Sequence, residues 1–267
     1  ENMEYWVKNF DIDGYRCDVG DHVPLEFWRE GVRRVKDIKP DFIMLNEGRK
    51  DEWIESGVFD ANYCYWGFKQ IFDLGEKNIN KNLKAIKHIN KQTMCFENHD
   101  TASDEYENRY ERKFGKNVCD AMLVVTFTCG CVPFIYNGNE IADSCRHSLW
   151  NNRFYGKNLC VDWSEALTTD GKNLTALVKS LIKIYHNISA INIGDIEVLT
   201  ESADFTAYKK THGDREVLVI ANMTKDIQTV SLNGENLSDY QTLLSARNII
   251  DNNVVTLSDG GYLVLYK

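Results

Sequence analysis

Three short stretches of this chain, Asp13-Gly-Tyr-Arg-Cys-Asp18, Met44-Leu-Asn-Glu-Gly48 and Phe96-Glu-Asn-His-Asp100, each place a carboxylate just after a run of strand-forming residues. Strands that end in acids and feed into helices are what a parallel β/α fold requires, because such folds keep their chemistry at the C-terminal ends of the strands. In the first stretch, strand alternation sends Arg16 and Asp18 to one face and Tyr15 and Cys17 to the other. A guanidinium beside a carboxylate favours the ionised acid. One acid at a strand end is ordinarily a solvated loop residue, but three in order, each closing an apolar run, point to a site.

The flanking sequence alternates in the way that fold demands. Met3 to Phe10 reads as the end of an amphipathic helix leading into a strand from Ile12 to Asp18, so the chain opens in mid-unit. Pro24 stands where a helix starts, Phe27, Trp28, Val32, Val35 and Ile38 carry its apolar spacing, and Pro40 ends it. Phe42 to Asn46 is nearly all apolar, as in a parallel strand buried on both faces. Phe59 to Tyr63 is a further strand, followed by helical stretches around residues 67–74 and 79–89. Thr93 to Phe96 and Val132 to Tyr136 are predicted strands, and Val118 to Phe127 and residues 174–188 are predicted helices. Alternation of this kind predicts a parallel sheet with helical crossovers.

After about Ile193 the pattern changes to short runs rich in β-branched and aromatic residues: 197–199, 205–209, 216–221, 229–232, 254–257 and 262–266. His212-Gly-Asp, Asn233-Gly and Asp259-Gly-Gly read as the turns between them. Residues 1–193 are therefore expected to form the α/β part and residues 194–267 a small all-β domain.

The chain has 31 basic and 40 acidic residues, a net charge of -9. That balance argues against nucleic acid or acidic lipid as a partner, since both require clustered cations. No apolar stretch is long enough to span a bilayer. The eight cysteines follow no metal-ligand spacing, and Cys129-Gly-Cys131 is one residue too close for the usual zinc or redox motif. They read as reduced core residues, which, with no signal peptide visible, favours a reducing, cytoplasmic compartment.

In their order and spacing, Gly14-Tyr-Arg-Cys-Asp18, Glu47 and Asn98-His99-Asp100 closely resemble the motifs that end the fourth, fifth and seventh barrel strands of the α-amylase family of glycoside hydrolases. The resemblance extends to His22, to Gly130-Cys-Val-Pro-Phe-Ile-Tyr-Asn-Gly138, which is similar to the eighth strand, and to the β-rich C-terminus. It implies part of a (β/α)8 TIM barrel, strands four to eight, followed by a small antiparallel β-sandwich domain. The family's strand-three motif has no counterpart, so the chain is expected to be a fragment, inactive alone, whose partner is the N-terminal half of the barrel.

The resemblance also implies roles. Asp18 would be the nucleophile and Glu47 the general acid and base, and Asp100 would hold the sugar hydroxyls in the distorted transition state. Arg16 would keep Asp18 ionised, and His99 and His22 would bind sugar hydroxyls. The substrate would be an α-glucan or maltooligosaccharide, cleaved with retention through a covalent glycosyl-enzyme. A calcium requirement stays open, because it depends partly on loops of the first half. Two other readings use the same scaffold: a transglycosylase or isomerase, and an inactive carbohydrate-binding or assembly barrel. Tyr65, Trp66, Phe68, Trp150, Phe154, Tyr155 and Trp163 are aromatic residues of the kind that stack on sugars, although core packing accounts for most such rings.

Overall fold

The computed structural model describes residues 1–63, 78–103, 109–145, 147, 160–232 and 234–267. The helix expected around residues 67–74, Cys64, Asn233 and all the aromatic residues just named except Trp163 lie outside them. The chain forms two compact units, Glu1–Tyr65 with Lys87–Met94, and Trp66–Ile86 with Cys95–Lys267.

In the first unit, β1 (Gly14–Cys17), β2 (Ile43–Asn46), β3 (Ala61–Tyr63) and β4 (Gln92–Met94) pair side by side in chain order, all parallel. Helices α1 (Asn2–Phe10), α2 (Leu25–Ile38) and α3 (Asp51–Glu55) accompany them. In α2 the buried residues Leu25, Trp28, Val32 and Val35 recur at intervals of three and four, which puts them on one stripe. That stripe shares a core with Cys17, Phe42, Met44, Trp53, Ile54 and Phe59. The opposite face carries exposed ion pairs of Glu30 with Arg33 and Arg34, of the kind that contributes little to stability.

Two details set the spacing of the first two strands. Gly14 lies opposite Ile43, and a Cβ there would stand 2.5 Å from the Ile43 carbonyl oxygen, so any side chain would push the strands apart. The same missing side chain leaves Ile43 uncovered. It is 56% exposed, against the expectation of a strand buried on both faces.

The second unit holds α4 (Ile79–Ala85), α5 (His99–Ser103), α6 (Tyr110–Phe114), α7 (Lys116–Thr128), β5 (Val132–Pro133), α8 (Thr169–Asn187) and α9 (Ser189–Ile193). Helix α7 is buried from Val118 to Thr128, and it packs against β8 (Arg215–Asn222) and β11 (Val254–Tyr266) of the antiparallel sheet that follows. Helix α8 starts earlier than its apolar spacing suggests because the Thr168 hydroxyl accepts from Gly171 N at 3.0 Å. Helix α4 stops at Ala85, short of the predicted residue 89, and His88 then takes a left-handed conformation that no helix continues through. Of the strand predicted to reach Tyr136, only Val132 and Pro133 are extended as strand.

The antiparallel sheet begins at Asp195. Its strand order is β10 (Gln241–Asp251), β11, β8, β7 (Phe205–His212), β6 (Asp195–Val198), with β9 (Gln228–Ser231) pairing β11 as well. The two runs expected at 254–257 and 262–266 are one strand, β11. Asp259-Gly-Gly is therefore not a turn but a bend within it, with Gly260 at φ 57° and a register shift opposite Ala246 and Asn248. The first part of β11 pairs with β9 and the last with β8. The sheet thus curls over Ala207, Leu218, Ile220, Val230, Val255, Leu257, Leu263 and Leu265. A parallel set of strands with helical crossovers followed by a curled antiparallel sheet is a partial barrel with a β-sandwich.

Cys17, Cys119, Cys129 and Cys131 are buried as expected of core cysteines. Cys160 is exposed, a correction to that reading: the apolar run around it is only Leu159 to Val161, bounded by Lys157-Asn158 and Asp162, too short to form a buried element of its own. No helix among the described residues is long and apolar enough to cross a membrane.

Candidate active site

Three of the residues singled out in the sequence meet in the first unit. Arg16, on β1, places Nη1 2.7 Å from Asp18 Oδ1 and pairs through Nη2 with Glu47 Oε1. Its Nε donates to the Tyr63 hydroxyl at 3.3 Å, and its guanidinium carbon lies 5.6 Å from the centre of the Tyr63 ring. Burial works against the charge on Arg16, but the hydrogen bonds to Tyr63 and Asp18 and the charge of Glu47 outweigh it and raise its pKa above the ordinary arginine value. The cation is thus fixed between the two acids.

The acids differ in exposure. Asp18 is 76% exposed and Glu47 only 7%. Glu47 follows β2, where its backbone N–H donates to Cys17 O at 3.0 Å, and its Oε2 accepts from Val19 N at the same distance. Val19 makes that bond from a left-handed conformation, φ 38°, which a β-branched residue rarely adopts. Strain of this kind persists only where surrounding contacts over-determine it. His22 ends the short turn Gly20–His22 and is exposed.

In the second unit, Asn98 turns the chain into α5: its Oδ1 accepts from Asp100 N at 3.0 Å and its carbonyl from Ala102 N at 2.9 Å. His99 Nε2 lies 3.4 Å from Asp100 Oδ1, and both side chains are partly exposed. The preceding residue, Glu97, is not among the residues expected in the site, yet it anchors the segment. Both its oxygens accept from Arg109 Nε, at 3.1 and 3.0 Å, and they also take Tyr110 N and Asn139 Nδ2. Arg109 is fully buried and reaches Asp143, which accepts from His147 Nε2 at 2.6 Å. Burial pushes the Asp143 carboxyl up, but His147, two backbone N–H groups and Arg109 hold it at about 2.

Beside this cluster, Glu111 Oε1 is buried with no hydrogen-bond partner among the described residues. Burial pushes its carboxyl from the ordinary 4.5 up to about 8, and Arg109 only partly offsets that. Between those two values the native chain holds a proton that the unfolded chain has released. The contribution of Glu111 to stability is therefore fully present below about pH 4.5 and is lost as pH rises towards 8, by at most about 5 kcal/mol, at ~1.36 kcal/mol for each pH unit between the two values. Glu111→Gln, which cannot ionise, should remove this slope and be the more stable protein at pH 9. Denaturant unfolding of parent and variant at steps from pH 5 to 9 measures it, and a stability difference between the two that does not change over that range rules the assignment out.

Arg16, Asp18 and Glu47 are thus brought together, as are His99 and Asp100. Tyr63, Asp21, Asn46, Glu97 and Arg109 also shape these groups and are not among the residues expected in the site. Glu97, next to Asn98-His99-Asp100 at a strand end, has a signal in its position. Arg109 has none, since it sits in the charged run from Asp104 to Lys113 that reads as solvated surface.

No family model matches the chain. It is 28% identical over 236 residues to a maltogenic α-amylase of Bacillus acidopullulyticus, covering 83% of this chain and 39% of that protein. It is 28% identical over 238 residues to a cyclomaltodextrinase of a Bacillus species, covering 83% of this chain and 40% of that one. The chain thus spans about two fifths of these relatives' length. Among solved structures, an α-amylase of Anoxybacillus superimposes with a TM-score of 0.71 at 22% identity, over 98% of this chain and 60% of the other. With the ordered strand-end acids and the barrel-then-sandwich architecture, these matches make the chain similar to the C-terminal part of the catalytic barrel and the small β-domain of α-amylase family glycoside hydrolases.

Proposed function

We propose that the protein carrying this chain is a retaining glycoside hydrolase that cleaves α-glucosidic bonds of starch-like glucans or maltooligosaccharides. The observation that carries this is the single guanidinium of Arg16 holding both Asp18 and Glu47. Carboxylates on adjacent nitrogens of one guanidinium are near neighbours. That favours the nucleophilic route, in which the pair stands about 5 to 5.5 Å apart, over the inverting route, which needs about 6.5 to 9.5 Å to admit a water. The names of the relatives, maltogenic α-amylase and cyclomaltodextrinase, support an α-glucan as substrate.

The exposures suit a division of labour. Asp18, exposed and held by Arg16, attacks the anomeric carbon while Glu47, in its enclosed position, passes a proton to the departing glycosidic oxygen. The glycosyl ester so formed is opened by a water whose proton returns to Glu47, and Asp18 leaves as carboxylate. Two inversions restore the α configuration. On the family resemblance, Asp100 and His99 bind the sugar hydroxyls, with His22 a further contact. Strands one to three of the barrel supply the rest of the wall, and the 267 residues alone are expected to be inactive, since small misplacements already lower rates heavily.

The stereochemical outcome tests the proposal. A proton NMR time course of maltooligosaccharide cleavage by the protein with a complete barrel should show α product first, with β appearing only as it mutarotates. β product at the earliest times would overturn it.

A further inference from the structure

We infer that Asp21 is a positioning residue that fixes Glu47 relative to Asp18; the inference rests on the proposed roles of those two acids. Asp21 lies in the turn after β1, three residues beyond Asp18, and its carboxylate reaches across to the segment after β2. Its Oδ1 accepts from Asn46 Nδ2 at 2.9 Å, and its Oδ2 accepts from Arg49 N at 2.9 Å and from Lys50 N at 3.3 Å. Lys50 Nζ returns a bond to Asp21 O at 2.9 Å. One side chain thereby grips the residues on both sides of Glu47.

The surroundings are built for this grip. Asn46 points its amide nitrogen between Asp21 Oδ1 and Asn62 Oδ1, 2.9 Å from each, and leaves its own Oδ1 buried without a hydrogen-bond partner among the described residues. A buried acceptor left unpaired is costly, so the amide orientation follows the charged acceptor. Asn62 Nδ2 in turn donates to Lys50 O at 3.1 Å, closing the network from β3. Gly48 makes room, because a Cβ there would run into the Asp21 carboxylate and lie 2.6 Å from Asn46 Nδ2. Besides Arg16, the loops of Asp18 and Glu47 are joined by the Asp21 carboxylate network, by the bond from Val19 N to Glu47 and by that from Glu47 N to Cys17 O.

Asp21→Asn keeps the shape of the side chain and turns one of its two acceptor atoms into a donor that faces donors. In the protein with a complete barrel it should lower kcat on maltopentaose about 30- to 100-fold, the scale of a small misplacement of a reacting group. KM should stay within about threefold of the parent, since no sugar contact is removed. First-turnover phenol release from an activated aryl maltoside, which needs little proton donation, should fall less than about fivefold. Equal loss on both substrates, or no loss, overturns the inference. If Asp21→Asn does not fold, Lys50→Met decides, because it removes the bond to Asp21 O and leaves the carboxylate itself intact. A several-fold loss confined to maltopentaose supports the clamp, and an equal or absent loss overturns it. Glu47→Gln run in parallel separates the two levels: if it shows no such selectivity, the acid role of Glu47 has failed and not the clamp.

Discussion

Asp18→Asn should lower turnover of maltooligosaccharides by about four orders of magnitude or more, in line with the loss of other covalent nucleophiles, and leave the fold almost unchanged. The amide has the shape of the carboxylate but cannot attack the anomeric carbon, so no glycosyl-enzyme forms. The fold is insensitive because Asp18 is 76% exposed and its partner Arg16 keeps Glu47 and Tyr63 when the charge is removed. Partly exposed ion pairs contribute about 1 kcal/mol or less. Steady-state kinetics with a thermal melt on the same preparation measures both. Turnover within about tenfold of the parent would move the nucleophile to another residue, and a large drop in melting temperature would assign Asp18 to the fold.

The part of the site that can be read from the sequence is the part that contacts the substrate in the proposed mechanism. Arg16, Asp18 and Glu47 stand at strand ends, where alternation fixes the side-chain direction. The supporting residues are not legible. Asp21 looks like any turn acid, and its partners are backbone N–H groups of Arg49 and Lys50 that no residue type announces. Arg109 is fully buried, although arginines in a charged run are nearly always solvated. What buries it is a set of acceptors, Glu97, Asp143 and the Cys145 carbonyl, that come together only through the fold.

The fold shows the same division. Elements with a sharp apolar period, such as α2 and β8, fall within a few residues of their expected places. The eleven-residue strand β10 has no signal in the sequence because it is the edge strand of its sheet, with every side chain exposed or half-exposed and so no alternation to read. Asp259-Gly-Gly reads as a turn because local chemistry cannot distinguish a turn from a strand that bends. The choice is made by Thr224 and Arg247: Gly260 N donates to Thr224 O at 3.0 Å, and Arg247 Nη2 donates to Gly260 O at 2.9 Å, holding the bend within the sheet.

Glu47→Gln separates the two halves of the proposed reaction. On maltooligosaccharides the leaving group is a sugar alkoxide that cannot depart without a proton, so kcat should fall about 10²- to 10⁴-fold, the usual contribution of a general acid. On an activated aryl maltoside the phenolate leaves unaided, and Asp18, still paired with Arg16, should form the glycosyl-enzyme at close to the parent rate. That intermediate then persists, because its hydrolysis needs Glu47 to take a proton from water. A stopped-flow trace should show one equivalent of phenol released in a burst, followed by a slow steady state. Added azide attacks without giving up a proton, so it should release the enzyme as an α-glycosyl azide and restore turnover of the aryl substrate alone. Equal loss on both substrates, with no burst and no response to azide, would remove Glu47 from proton transfer and leave it only its contacts with Arg16 and Val19.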